Sequence, residues 1–178
     1  MHERFTLRSY VNDDAVAVRR IIDDAFGSEH ATRSVWNLRK GNSIDELGLI
    51  VEDLSICSAN KDTITGSIVG SLQFWPIRIA SYPSLLLGPL AVKYYLRGLG
   101  VGSLLVEEAL NQITNRDWDF CLVSGEPDYY PKFGFKPVPS CLNWPGPIER
   151  QRLQFLNLRS LDLEKLSDQK MPVLSDID

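Results

Sequence analysis

Residues Leu85–Gln112, LLLGPLAVKYYLRGLGVGSLLVEEALNQ, carry an apolar strand through an arginine- and glycine-rich turn into an amphipathic helix. Leu85–Val92 lacks the alternation of a half-exposed strand, which predicts burial on both faces. Gly88-Pro89 interrupts it. Proline has no N–H to give to a ladder, so the dipeptide predicts a bulge or a place where pairing with a neighbour stops. In Val101–Gln112 and on to Ile113, the residues Val101, Leu104, Leu105, Ala109, Leu110 and Ile113 form one stripe, with Glu107, Glu108, Asn111 and Gln112 opposite. That is the spacing of a helix with one core face. Between strand and helix, Gly98, Gly100 and Gly102 leave backbone amides uncovered where the helix dipole is positive, a cradle for phosphate.

Downstream, Asn115-Arg116-Asp117 leads into Phe120–Ser124, a short apolar strand, so strand, helix and strand form a βαβ unit with two parallel strands. Pro127–Phe133 predicts one or two helical turns, with Asp128 near the start. Lys136–Leu142 and Arg152–Leu158, joined through the proline-rich Asn143–Pro147, predict a closing hairpin. Upstream, Phe5–Arg8 reads as a first strand and Asp14–Phe26 as a helix capped at Asn12 or Asp13, while Ala31–Arg39 reads as a second helix stopping at Lys40-Gly41-Asn42. Leu47–Leu54 and Ser67–Ile79 read as paired strands. Ser55–Gly66 between them is a loop or a ragged hairpin, and Tyr82-Pro83 is a turn.

The chain has 178 residues, 44% of them apolar, enough for one hydrophobic core and short for two. One domain over residues 1–160 is expected, with 161–178 a charged tail. A net charge of −4 argues against non-specific binding to a nucleic-acid backbone. Three cysteines without CxxC spacing, and only two histidines, argue against a disulfide framework or a metal site. With no apolar stretch of signal or membrane-span length, the expected setting is reduced and cytoplasmic, with no membrane partner.

For Arg97-Gly98-Leu99-Gly100-Val101-Gly102, a tight strand-to-helix connection without a ligand is one reading. A dinucleotide fingerprint needs Gly or Ala where Ser103 stands, and a P-loop needs Gly-Lys-Ser/Thr. The segment also resembles the acyl-CoA-binding motif Q/R-x-x-G-x-G/A of the GNAT superfamily, the GCN5-related N-acetyltransferases, through Arg97, Gly100 and Gly102. Tyr129-Tyr130-Pro131-Lys132-Phe133-Gly134-Phe135, about thirty residues on, is similar to the family's Tyr-x-x-Phe-Gly-Phe segment. Element order agrees from about Phe5 to Leu158, and Gly125–Asp128 resembles a bacterial subgroup of YhbS type.

The resemblance implies a twisted mixed α/β sheet flanked by helices, with its fourth and fifth strands, Leu85–Val92 and Phe120–Ser124, parallel and splayed around acetyl-CoA. It implies backbone contacts from Leu90, Ala91 and Val92 to the pantetheine arm. A pyrophosphate site at Arg97, Gly98, Leu99, Gly100, Val101, Gly102 and Ser103 follows, with Phe133 as a further cofactor contact and no metal. The implied reaction is direct transfer of an acetyl group to a primary amine of a small molecule or peptide, by a monomer or homodimer. Tyr130 aligns with the family's acid near the sulfur, with Tyr129 as the alternative. Ile77–Val92 holds no Asp or Glu, unlike many relatives, so the base falls to Glu126, with Asp128, Glu52, Asp53 or a water relay as alternatives. That absence also leaves open a CoA-binding regulatory or degenerate domain without turnover. Trp36, Trp75, Trp144 and Tyr82 either line the acceptor site or pack in the core.

Overall fold

The computed structural model describes residues 4–27, 34–39, 41–60, 63–79, 81–139 and 149–162. Among these residues seven strands make one mixed sheet in the order β1-β2-β3-β4-β5-β7-β6. They are β1 (Phe5–Ser9), β2 (Leu49–Asn60), β3 (Thr63–Ile79), β4 (Tyr82–Val92), β5 (Phe120–Ser124), β6 (Lys136–Pro137) and β7 (Leu153–Asn157). Among the described residues β4 and β5 are parallel, and the other neighbouring pairs are antiparallel. The closing hairpin is therefore present, with β7 inserted between β5 and β6.

Among the described residues two α-helices cover the sheet. The first, α1 (Ala15–Phe26), buries Val18, Ile21 and Ile22 at i, i+3 and i+4 spacing against Ile50 of β2 and Ala91 of β4. The second, α2 (Val101–Thr114), lies on the opposite face. It packs Val101, Leu105, Val106, Ala109 and Ile113 against Leu85, Leu87, Cys121 and Val123, while Leu104 and Leu110 are only partly buried. Val106 belongs to the core face although the sequence stripe passed over it. No helix among the described residues is long and apolar enough to cross a membrane.

Several element boundaries differ from expectation. Tyr82 and Pro83 pair with Ile79 and Arg78 instead of forming a turn, because a proline at the start of a strand gives up little of the ladder. Ser55–Gly66 is the ragged hairpin: β2 and β3 run on to Asn60 and Thr63 across a register shift between Asp53 and Ser58. Of the Ala31–Arg39 helix, the described part is a short 3-10 turn at Ser34–Leu38. Pro127–Phe133 contains the 3-10 turn Tyr130–Phe133. Lys136–Leu142 shrinks to the two residues of β6, and Ser140 to Leu142, like the tail beyond 162, lie outside the described residues.

The Gly88-Pro89 interruption has a clear structural consequence. Before it, Leu85 and Leu87 face α2; after it, Leu90 and Val92 do, since all four pack with the α2 core. Keeping one face across a change from odd to even numbers requires an extra residue, and the register with β3 shifts between Leu72 and Phe74. Parallel pairing with β5 covers Ser84↔Phe120 to Leu87↔Val123 and ends there.

Candidate active site

Past Leu87 and Val123 the two strands part, while β4 stays paired with β3 as far as Val92. The direction of the freed groups follows from the ladder. Lys93 donates its N–H to the Val69 carbonyl at 2.9 Å, and hydrogen-bonded pairs alternate along an antiparallel ladder. Ala91, opposite Ser71, therefore spends its backbone groups on β3, whereas those of Leu90 and Val92 point into the gap beside β5. A backbone contact expected from Ala91 is thus directed away from the cleft, and its side chain is buried under α1. Unpaired strand groups of this kind need a partner, and a peptide-like ligand supplies one.

The gap opens into a cleft of about 1490 Å³, larger than the roughly 300–1,000 Å³ of a typical small-molecule site and roomy enough for two ligands at once. One end is the glycine turn. Gly100 sits at φ +86, a conformation that favours glycine, and starts α2. The first bond inside the helix runs from the Leu104 N–H to the Gly100 carbonyl, so the amides of Val101, Gly102 and Ser103 have no acceptor within it. Gly102 leaves room for an aromatic: a Cβ there would stand 2.8 Å from the Tyr129 hydroxyl. Positive charge gathers beside these amides. Lys132 donates from Nζ to Ser103 Oγ at 2.9 Å and lies over the Tyr129 ring, and Arg97 projects from the turn, with Nη2 3.4 Å from the Ala25 carbonyl.

Leu90, Val92, Arg97, Gly98, Gly100, Gly102 and Ser103 all line the cleft. Leu99, Val101 and Phe133 do not. Leu99 is exposed, Val101 is buried on the core face of α2, and Phe133 packs edge-on against Tyr129. Any part taken by Leu99 or Val101 runs through the backbone.

At the other end Tyr130 lines the cleft beside Val123, Ser124, Gly125 and Glu126. It is buried, set edge-on between Tyr129 and Phe135. Burial raises the phenol's pKa above its ordinary value, the Tyr129 and Cys121 neighbours add to the rise, and the cations Arg152 and Arg39 oppose it. The phenol is therefore protonated at neutral pH. Gly125 is required by the ring, because a methyl group there would run into Tyr130. The Tyr129 phenol is also raised by burial, with its hydrogen bond to Ser103 acting the other way.

The carboxylates sort themselves by position. Glu126 is exposed and lines the cleft, where its Oε1 accepts from Arg152 Nη1 at 2.7 Å. Asp128 is exposed and stands off the cleft. Glu52 and Asp53 are committed elsewhere: Glu52 pairs with Arg8 at 2.6 Å, and buried Asp53 pairs with Arg4 at 2.7 Å. Among the described residues no His, Cys, Asp and Glu cluster could hold a metal. Of the aromatics, Trp36 lines the cleft, Trp75 is core, and Tyr82 packs edge-on against Phe120. Trp144 lies outside the described residues. Sequence reasoning missed Gly125, Lys132, Arg152 and above all Arg39, whose one local signal is the i, i+3 spacing from Trp36.

No family model matches the chain. It is 26% identical over 146 residues to the uncharacterized N-acetyltransferase YhbS of Escherichia coli K12, covering 79% of this chain and 80% of that protein. The crystal structure of E. coli YhbS in complex with CoA matches with a TM-score of 0.68 at 21% identity, over 94% of this chain and 89% of that one. The chain has the fold of the GNAT acetyltransferases and is distantly similar in sequence to YhbS. A second structure of this fold, a GNAT family acetyltransferase from Brucella melitensis in complex with acetyl-CoA, matches with a TM-score of 0.62 at 24% identity. It covers 88% of this chain and 89% of its own.

Proposed function

We propose that the protein is an acetyl-CoA-dependent N-acetyltransferase acting on a primary amine of a small molecule or peptide. The observation that carries this reading is the end of β4–β5 pairing at Leu87↔Val123, with Leu90 and Val92 facing the gap between Tyr130 and the α2 N-terminus. The residues fit the cosubstrate at three levels. Amides of Gly102 and Ser103, with Arg97 and Lys132 nearby, suit a pyrophosphate. The free backbone groups of Leu90 and Val92 suit the amide-bearing arm. Their N–H groups also face the region where negative charge develops on the carbonyl oxygen during transfer.

Tyr130 acts as the acid in this scheme. Its buried phenol holds a proton at neutral pH and can give it to the departing thiolate. Glu126 takes the amine's proton either directly or through water. Its Oε1 already accepts from Arg152 Nη1, which ties up one oxygen of the carboxylate. That pairing, with the lack of a carboxylate on β4, favours a second reading, a CoA-binding domain without turnover.

Calorimetry with acetyl-CoA and CoA, followed by thiol release over an amine panel, tests the proposal. Acetyl-CoA binding with amine-dependent thiol release is expected. Binding without release from any amine would leave the regulatory reading, and no binding would overturn both.

A further inference from the structure

Arg39 follows the 3-10 turn Ser34–Leu38 and lines the same cleft, at the end away from the glycine turn. Its guanidinium lies over the Trp36 ring at 4.1 Å and 5.4 Å from the Trp75 ring, and its Nη2 would be 3.1 Å from a Cβ on Gly88. On the order of 10 Å of β4 separates Gly88 from Val92, so Arg39 stands where the strands begin to part and not where the pyrophosphate fits. Among the described residues no carboxylate pairs with Arg39, and its buried Nε has no hydrogen-bond partner. The side chain is half-buried, and burial lowers its pKa to about 9, with Tyr130 acting the other way, so it is still a cation at neutral pH.

A half-buried, unpaired charge with a buried, unsatisfied donor is costly unless something completes it. The indole contacts recover part of that cost through the ring faces and leave the in-plane N–H edge free, the edge that takes two oxygens of an anion. The nearby carboxylate, Glu126, is already held by Arg152.

Resting on the acetyltransferase reading, we infer that Arg39 receives an oxyanion of the acceptor, so that the substrate class is an amine that also carries a carboxylate or similar oxygen anion. Arg39 then sets specificity: the anion docks on its N–H edge beside Trp36 and holds the amine toward Tyr130 and the gap at Gly88. An uncharged or purely cationic amine leaves the guanidinium unpaired and is disfavoured.

The test compares matched amines on the wild-type protein: amino acids and their carboxamides, and an aminoalkyl phosphate with its alcohol. Hydrogen bonds to a charged group predict a preference of roughly tenfold or more in kcat/KM for the anionic member. The carboxylate and phosphate arms show which oxyanion fits. Arg39→Gln should bring the ratio toward one and leave the acetyl-CoA Kd as it is, while Arg39→Lys should keep part of the preference. Equal use of acid and amide by the wild type would overturn the inference, as would a preference that survives in Arg39→Gln. A loss confined to acetyl-CoA affinity would overturn it too.

If acetyl-CoA binds and no amine is turned over, the enzymatic reading falls. The Arg39 site is then read by calorimetry of the same pairs on the CoA complex. Oxyanion binding abolished by Arg39→Gln supports the site, and no discrimination between members overturns it.

Discussion

At the glycine turn the cleft is walled by main chain, whereas at its other end, around Gly88 and Gly125, it is walled by side chains. The first end offers helix amides of Val101, Gly102 and Ser103 and free strand groups of Leu90 and Val92. The second offers Tyr130, Glu126, Arg152, Trp36 and Arg39. Backbone walls serve a ligand whose shape is constant, because amides in a fixed turn cannot be altered by substituting side chains unless a Cβ intrudes. Side-chain walls serve a partner that differs from protein to protein. The two ends should therefore fail differently. Changes in the turn should act on cosubstrate affinity, and changes at the far end should act on turnover or acceptor choice.

The largest effect should come from putting a side chain into the turn. Gly100→Glu forces a non-glycine residue to φ +86 and sets a carboxylate at the proposed pyrophosphate site. Calorimetry should show acetyl-CoA affinity falling by about a hundredfold or more, which is roughly 2.7 kcal/mol. Retained affinity would break the comparison, since the phosphate end would then not be made of these amides.

At the side-chain end, Tyr130→Phe should lower kcat on the order of 10²-fold while the acetyl-CoA Kd stays nearly constant. Gly125→Ala approaches the same residue by another route, displacing the ring that packs against it without touching the phenol chemistry. It should lower turnover in the same direction. If Tyr130→Phe keeps full activity, the proton donor lies elsewhere, and Tyr129, which hydrogen-bonds Ser103, becomes the group to test.

The same contrast explains what the sequence could disclose. Glycine spacing and the 3.6-residue stripe of α2 are local properties, so the turn, the helix and the parallel β4–β5 pair were readable from the chain. Gly88-Pro89 announced a fault in β4, but only the paired register tells that it keeps Leu85, Leu87, Leu90 and Val92 on one face. Arg39 was unreadable for the opposite reason. Its surroundings come from Trp36 beside it, Trp75 on β3 and Gly88 on β4, so an arginine that reads as the last polar residue of a short helix is in fact a half-buried cation over two indole rings. Glu52 and Asp53 misled in the same way, since their partners Arg8 and Arg4 sit on the neighbouring β1 edge and nothing in the spacing pairs them.

A smaller effect sharpens the boundary between the two ends. Lys132 belongs to the aromatic segment that carries Tyr130, yet its ammonium reaches Ser103 and the glycine turn. Lys132→Met should therefore weaken acetyl-CoA several-fold and reduce the salt dependence of binding, since one exposed cation is removed from beside the proposed pyrophosphate site. Turnover at saturating acetyl-CoA should change little. A drop in kcat with unchanged Kd would instead assign Lys132 to the chemistry of the Tyr130 end.

The smallest effect tests whether the β1–β2 edge is independent of both ends. Hydrogen bonds from Arg4, aided by Ser55 and opposed by burial, hold the Asp53 carboxyl at about 2, below the ordinary value of about 3.9. The Arg8 guanidinium likewise lowers Asp14. Because these folded-state values lie below the unfolded ones, the stabilisation is fully present above about pH 4 and is lost as pH falls toward about 2. Melting temperatures measured from pH 6 to pH 2 should fall mainly within that window. Arg4→Met should flatten the slope and shift Tm at neutral pH by a few degrees at most, because Arg4 is half exposed. Acetyl-CoA affinity at neutral pH should not move. If it does, β1 and β2 reach the cleft through the sheet, and the division of the site into a main-chain end and a side-chain end omits a part that both depend on.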